Sequence, residues 1–201
     1  MPNDDRACIS YWLPKLVKSG VPTPETTIVR TPKGCDLSFL LDGKLPPNYK
    51  KFMAELVAAA ESYGFPCFLR TGHTAGKHQY HETCFVENAG VLHKNVVHLV
   101  ECSVCADIVG LPTDVWAVRR WLDVNPSLYT KASLPIGRER RYFITDGGVL
   151  CHHPYWPEDA LRGKIAFRRW RKKLTELNHE TSTEIRTLRL FSKWVETQCK
   201  G

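Results

Sequence analysis

The sequence has no apolar run close to the ~18 to 20 residues that a helix needs to cross a bilayer. Its first five residues show neither the basic nor the apolar region of a secretory signal peptide. No internal repeat, low-complexity tract or long linker interrupts its 201 residues, of which 43% are hydrophobic. These features predict a protein of the cytoplasm with no membrane partner, folded as one domain or two tightly joined small ones.

The cysteines do not form a disulfide framework, because they are scattered through a chain of this size without a secretion signal. We therefore expect reduced thiols, several of them buried. Cys102 and Cys105 have the CxxC spacing of a zinc or redox site, and His78, His81 and Cys84 form a second candidate set. The CxxC pair lies in an apolar periodic stretch, which favours thiols of a buried helix face over a zinc protein.

The net charge of +7 comes from one local segment. The stretch from Arg162 to Lys173, RGKIAFRRWRKK, holds seven lysines or arginines and no acid, so the remaining 21 basic residues balance the 21 acidic ones. Cations interleaved with aromatic residues could bind nucleic acid. The roughly helical spacing of the apolar residues favours another interpretation, in which the charges are the solvated side of an amphipathic helix; these residues are Ile165, Phe167, Trp170, Leu174 and Leu177.

The periodicity along the chain predicts a mixture of helices and strands, and hence an α+β or α/β architecture. A division into two lobes is predicted at residues 1–112 and 113–201. Helices are predicted at 6–18, 49–63, 92–109, from Pro157 and from Thr181, and strands at 26–29, 65–69, 82–87 and 116–124. A hairpin is predicted from 138–144 and 149–152.

A loop rich in small residues lies between the strands at 65–69 and 82–87. Its glycines could let backbone N–H groups approach a polyphosphate, while Arg70 and Lys77 on either side neutralise it. The loop lacks the spacing of a P-loop. An ordinary hairpin loop remains the alternative.

A second candidate site lies in the predicted hairpin. Strand alternation sends Glu139, Arg141 and Phe143 to one face and Arg140 and Tyr142 to the other. A carboxylate and a guanidinium on one face suit a site for phosphate and metal, and they suit a structural salt bridge equally well.

In their order along the chain, these motifs resemble the ATP-grasp superfamily over roughly residues 4 to 160. The closest resemblance is to small uncharacterised bacteriophage proteins of that superfamily, and a more distant one is to the eukaryotic cell-division-cycle 123 group. The resemblance rests on Asp5-Arg6 before a helix, SGVPTPET from Ser19, Gly64-Phe65-Pro66 before Cys67-Phe68-Leu69-Arg70, the loop from Gly72 to Lys77, WAVRRWL from Trp116, and Glu139-Arg140-Arg141-Tyr142-Phe143 before Asp146-Gly147-Gly148.

The resemblance implies an ATP-grasp-like α+β fold of two lobes with ATP and Mg²⁺ between them, in the host cytoplasm if a phage encodes the chain. It implies three sets of site residues. The triphosphate would contact Arg6, Arg70, Gly72, Thr74, Gly76, Lys77 and Arg141, the adenine would lie along Arg119, Trp121 and Leu122, and Glu139 would bind the metal, with Glu139 and Arg141 as the catalytic pair.

The activity implied is that of a ligase, which joins a carboxylate to an amine or thiol through an acyl phosphate; the acceptor substrate is not specified. ATP-grasp enzymes end with two strands that carry metal-binding carboxylates, whereas this sequence predicts only basic or amphipathic helices after Leu161. The alternative is a non-catalytic binding protein that uses the same scaffold and engages nucleic acid or a protein partner through its basic segment.

Overall fold

A computed structural model of the protein describes residues 5–18, 20, 22–106, 108–123, 125–145, 148–179, 188 and 191–192. The described chain combines helices with antiparallel strands, which confirms the predicted α+β class. It divides into two compact units, Met1–Leu122 and Asp123–Gly201. The division follows Leu122 rather than Pro112, because strand Val115–Arg120 pairs with strands of the first unit. No helix in the described part is long and apolar enough to cross a membrane.

The first unit is built on a four-stranded antiparallel sheet with the strand order β1-β4-β2-β3. The strands are β1 (Thr26–Arg30), β2 (Cys67–Thr71), β3 (Phe85–Val86) and β4 (Val115–Arg120). In the centre of the sheet, Arg119 of β4 lies opposite Thr26 on one side and opposite Phe68 on the other. This register decides which side chains share each face.

One face of the sheet carries the main hydrophobic core. Helices α2 (Tyr49–Tyr63) and α3 (Leu92–Val104) contribute to that core together with a 3-10 helix, Leu37–Asp42. The core contains the fully buried side chains of Phe52, Leu56, Leu69, Val86, Leu92, Val96, Leu99, Trp116 and Val118. The largest of these side chains belong to the sheet and to the apolar stripe of each helix, as amphipathic periodicity requires.

The opposite face of the sheet is covered at one end by α1 (Ile9–Lys18). Cys8, Ile9 and Leu13 pack there against Val115 and Ala117 of β4. The next residue along this face of β4 is Arg119, which lies outside that cluster. The sheet therefore has an apolar end under α1 and a polar continuation beyond it.

Between Asp123 and His179, the described residues of the second unit form two hairpins and two helices with a smaller core. Its strands are β5 (Leu128–Tyr129), β6 (Pro135–Ile136), β7 (Arg140–Thr145) and β8 (Gly148–Pro154), and its helices are α4 (Glu158–Leu161) and α5 (Trp170–Asn178). The core consists of Leu128, Ile136, Leu161, Ile165, Trp170 and Leu174. The predicted helix from Thr181 begins outside the described residues.

Three of the predicted elements are confirmed closely: the strand at 26–29, the helix at 49–63 and the antiparallel hairpin of the second unit. The helix predicted to run to 109 ends at Val104, because the chain reverses at Gly110 (φ 73°) and Leu111 N–H donates to Ser103 O at 2.8 Å. The strand predicted from Phe65 begins at Cys67, since Pro66 cannot donate a ladder hydrogen bond.

The basic segment differs most from its predicted form. Residues 162–169 are not helical, and α5 begins only at Trp170. Ile165 and Trp170 are buried as expected, whereas Phe167, predicted on the buried stripe, is 53% exposed. A turn in which Trp170 N–H donates to Phe167 O at 3.2 Å replaces the predicted helical continuation.

Candidate functional site

The polar end of the α1-covered face brings together two arginines from neighbouring strands. Arg70 of β2 lies opposite Ala117, and Arg119 of β4 lies opposite Phe68, so the two arginines are diagonal neighbours on the same face. In that arrangement long side chains can reach one another. Both side chains are half-buried. The ATP-grasp resemblance implies an ATP contact for each of them.

Neither arginine is neutralised by a carboxylate within the described chain. Arg70 donates to two backbone carbonyls, Thr71 O at 3.0 Å and Gly72 O at 3.3 Å, and Arg119 donates to the Thr26 hydroxyl at 3.2 Å. Burial lowers the pKa of both guanidinium groups, and repulsion from Arg119 lowers the pKa of Arg70 further. Since arginine stays charged in proteins, the pair concentrates positive potential that an anion would relieve.

The glycine loop follows Arg70 directly and is held tightly to the sheet. Gly72 N–H donates to Val115 O at 2.7 Å, and Gly72 O accepts from Ile9 N–H at 2.9 Å. A Cβ on Gly72 would lie 2.6 Å from Cys8 Sγ, closer than atoms can approach. Gly72 is therefore required by a close approach of the loop to α1.

The loop uses most of its own amide groups internally. The Thr71 hydroxyl accepts from the N–H groups of His73 and Thr74, and the Thr74 hydroxyl accepts from Gly76 N–H. With Gly72 N–H also engaged, few loop amides remain for a ligand. An anion at this site would be held mainly by the arginine side chains rather than by the predicted cradle of amides. Lys77 is exposed at the end of the loop, where the 3-10 turn Lys77–Gln79 begins.

Arg6 lies in an exposed turn just before α1. Its neighbour Asp5 accepts from Ala7 N–H at 3.1 Å and is hydrogen-bonded to His73 of the glycine loop, with 2.6 Å between Oδ2 and Nε2. The hydrogen bond from His73 is the main factor that lowers the pKa of Asp5. The Asp5–His73 pair thus ties the turn carrying Arg6 to the glycine loop.

We expect Asp5→Asn to lower the thermal stability of the protein at neutral pH, because the lowered pKa of Asp5 means that folding favours its ionised form. A depressed folded-state pKa stabilises the fold above the unfolded value of about 3.9, and this contribution is lost as the pH falls through the folded pKa. Melting curves between acidic and neutral pH should converge at the acidic end. Asp42→Asn, at an exposed aspartate with no side-chain partner in the described chain, is the control and should shift nothing.

Aromatic rings surround the chain where it leaves β4. Trp121 contacts Phe85 edge-on, with ring centroids 5.1 Å apart, and Tyr80 stacks on Phe85 at the same centroid distance. Trp121 is half-buried in this cluster, whereas Leu122 is 49% exposed. Since Phe85 pairs with Phe68, the cluster lies beside the two arginines on the same sheet face.

The hairpin of the second unit does not join its predicted catalytic pair. Glu139 precedes β7, and its Oε2 is buried without a hydrogen-bond partner among the described residues. Arg141 is exposed and lies over the Tyr155 ring, 5.1 Å from its centroid. No ion pair links Glu139 with Arg141 anywhere in the described ranges. Arg140 has a structural contact: it donates to Asn178 O at the end of α5.

The CxxC pair is not buried as predicted. Cys105 is exposed at the C-terminal end of α3, and Cys102 is half-buried with its Sγ 3.6 Å from Gln79 Oε1. The expectation of a core position is wrong for Cys105, because α3 ends one residue earlier. Among the described residues no three His, Cys, Asp or Glu side chains are grouped to hold a metal ion. Four other thiols are buried: Cys8, Cys35, Cys67 and Cys84.

A groove of about 420 Å³ runs along α5 in the second unit. Its lining residues are Glu158, Arg171, Leu174, Thr175, Asn178 and His179. Two of these lining residues form an ion pair, with 2.6 Å between Arg171 Nε and Glu158 Oε1. None of the residues predicted to contact ATP or Mg²⁺ lines the groove, whereas Arg171 belongs to the segment predicted to bind nucleic acid.

Sequence reasoning missed three residues that build the candidate site. Thr71 organises the glycine loop, while Asp5 and His73 anchor it. The sequence around Asp5 gave a signal only for the neighbouring arginine, and nothing in the pattern showed that a histidine 68 residues later would meet it.

Compared with known proteins, the chain matches no protein-family model and no curated sequence. What the protein does must therefore be read from its own residues.

Proposed function

We propose that the protein binds ATP on the first unit, with the triphosphate on the face that carries Arg70 and Arg119. The observation that carries the proposal is the placement of these two half-buried cations on one face without a carboxylate partner in the described chain. A structural arginine in such a position would ordinarily be paired, since an uncompensated charge is costly to bury. A triphosphate supplies several negative charges to the same place and accepts bidentate contacts from guanidinium groups.

In the proposal, the purine ring of ATP binds at the neighbouring aromatic cluster. Trp121 and Phe85 present rings at the end of the sheet face where Arg119 lies. A purine ring packs favourably on such side chains. In the proposal Arg119 lies between the phosphate-binding and the ring-binding parts of the site, and Lys77 and Arg6 extend its positive potential.

The ATP-grasp resemblance extends the proposal to catalysis by a ligase. A carboxylate substrate would attack the γ-phosphorus of ATP, ADP would leave, and an amine or thiol would then attack the acyl carbon and release phosphate. Glu139 of the second unit, with its buried unpartnered oxygen, suits a single carboxylate ligand of Mg²⁺. Bound Mg²⁺ would offset the negative charge of the phosphates. The same resemblance assigns a catalytic role to Arg141 of that unit.

Isothermal titration with ATP, with and without Mg²⁺, tests the binding proposal. Arg70→Met and Arg119→Met should each weaken ATP binding at least about tenfold, the effect of losing one charged hydrogen bond. The matched control is Arg120→Met. Arg120 follows Arg119 but faces the other side of the sheet, where it pairs with Glu25. ATP affinity should be unchanged in that variant.

The stability of the same variants separates a binding role from a structural one. Arg119→Met should keep or raise the melting temperature without ATP, because it removes one of two half-buried like charges. The proposal fails if the wild-type protein takes up no ATP in either condition, or if Arg120→Met loses as much affinity as Arg119→Met.

A further inference from the structure

The basic segment of the second unit contributes apolar residues to the core and leaves its cations outside. Ile165 and Trp170 are 8% exposed and pack with Leu174 in the core of the unit. The charged residues between and after them are exposed. The apolar residues of the segment therefore hold it against the core of the unit, whereas its charged side chains take no part in that packing.

The cations of this segment fall into two groups. Three of them form ion pairs: Arg162 with Asp159, Arg171 with Glu158 and Lys173 with Glu176. The other four, Lys164, Arg168, Arg169 and Lys172, form no side-chain hydrogen bond or ion pair with any described residue, and the last three lie together at the start of α5. Arg168 lies in the turn before α5, Arg169 is its N-cap residue and Lys172 belongs to its first turn.

Their position is unfavourable for the helix itself. Arg169 occupies the N-cap of α5 without capping it, and the first turn holds no acidic residue. Cations near a helix N-terminus oppose the helix dipole, and acidic residues would be preferred there. Such cations lower the stability of the helix and make no contact that compensates for the loss, and this combination is typical of a binding surface.

The exposed Phe167 adds an aromatic ring beside these charges. It is 53% exposed and directly precedes Arg168 in the turn that leads into α5. A lone exposed phenylalanine flanked by cations matches the way proteins hold single-stranded nucleic acid, with bases stacked on rings and phosphates held by lysine and arginine. A membrane surface would need several apolar side chains to insert, but Ile165, Trp170 and Leu174 are buried.

We propose that Phe167, Arg168, Arg169 and Lys172 form a binding surface for single-stranded nucleic acid. Phe167 stacks on a base, and the three cations contact successive phosphates. The surface shares no residue with the proposed ATP site.

Fluorescence anisotropy with labelled oligo(dT) and oligo(U) of about 15 nucleotides tests the surface. Three phosphate contacts should give a slope of about −2 in log affinity against log salt, at about −0.7 per contact, so affinity falls about 20-fold between about 50 and 200 mM salt. Both oligonucleotides should bind, because stacking and phosphate contacts do not require a 2′-hydroxyl.

Two variants separate the roles of charge and ring. The triple variant Arg168→Gln, Arg169→Gln and Lys172→Gln should bring the salt slope close to zero while ATP binding stays unchanged. Phe167→Leu should weaken binding by about fivefold or more at every salt concentration with the slope unchanged, because it removes stacking but no phosphate contact. Circular dichroism should show both variants folded, since all four side chains are exposed.

A charge-matched control distinguishes this surface from the general basicity of the protein. Lys33→Gln, Lys44→Gln and Lys51→Gln together remove three exposed cations of the first unit and should leave oligonucleotide binding intact. The proposal is overturned if this control loses as much affinity as the triple variant, or if Phe167→Leu binds like the wild type. It is also overturned if a duplex of equal length binds more tightly, or if the protein binds vesicles of anionic phospholipid but neither oligonucleotide.

Discussion

Trp116→Ala should lower the free energy of unfolding by about 3–5 kcal/mol, the range for truncating a fully buried large aromatic residue. Trp116 is completely buried in the middle of β4 and meets Phe52 of α2 edge-on, with ring centroids 5.5 Å apart. Its indole N–H also donates to Thr113 O at 2.8 Å. Urea denaturation followed by circular dichroism measures the loss.

Two further variants show how this loss arises. Trp116→Phe keeps a ring in the core and removes the indole hydrogen bond, so it should cost less than the alanine variant. Thr113 O still accepts from the Thr31 hydroxyl at 2.7 Å, which limits the penalty for the missing N–H. Trp12→Ala, at a half-buried tryptophan of α1, is the matched control. A similar cost for Trp12→Ala and Trp116→Ala would contradict the assignment of Trp116 to the centre of the core.

Gly72→Ala should destabilise the protein by about 1–3 kcal/mol, the usual cost of overpacking a filled interior. The added Cβ would lie 2.6 Å from Cys8 Sγ and 3.2 Å from Val115 Cβ. Gly72 does not have a positive φ, so the cost is steric and comes from the close approach of the loop to α1. Thermal and urea unfolding of the variant measure it.

The steric origin can be tested by removing the atom that Gly72→Ala would strike. In a Cys8→Ala background the sulfur is absent, and Gly72→Ala should cost clearly less, with a coupling energy of about 0.5–3 kcal/mol in a double-mutant cycle. Gly90→Ala, at an exposed glycine whose Cβ would meet only the Asn88 side chain, should be nearly neutral. Additive effects at positions 8 and 72 would show that the contact is not the cause.

The parts of the fold that could be predicted are those fixed by local apolar periodicity and by the glycine residues that end a helix. The helix at 49–63 follows from its apolar period and from Gly64, which ends it. The small hairpin of β5 and β6 could not be predicted, since each strand has two residues and one begins with Pro135. Phe167 was misplaced because helical spacing continued through a stretch that a turn interrupts.

The candidate site could be predicted only one residue at a time. Alternation in Cys67–Thr71 already separates Arg70 from the buried Leu69. The pairing of Phe68 with Arg119 depends on the antiparallel register of β2 and β4. These residues are more than 50 positions apart in the chain, so their pairing is established only on folding. The hydrogen bond of Asp5 with His73 is equally non-local, and for that reason the sequence could suggest the arginines but not how they are assembled.

The strand order also bears on how the protein is made. β4 is the last strand of the first unit to leave the ribosome, yet it lies between β1 and β2, which are not hydrogen-bonded to each other. During synthesis β1 therefore has no strand to pair with until about residue 120 has emerged. The nascent chain must carry β1 unpaired for most of the time that the ribosome needs to complete this unit, which is the period when chaperones can act on it.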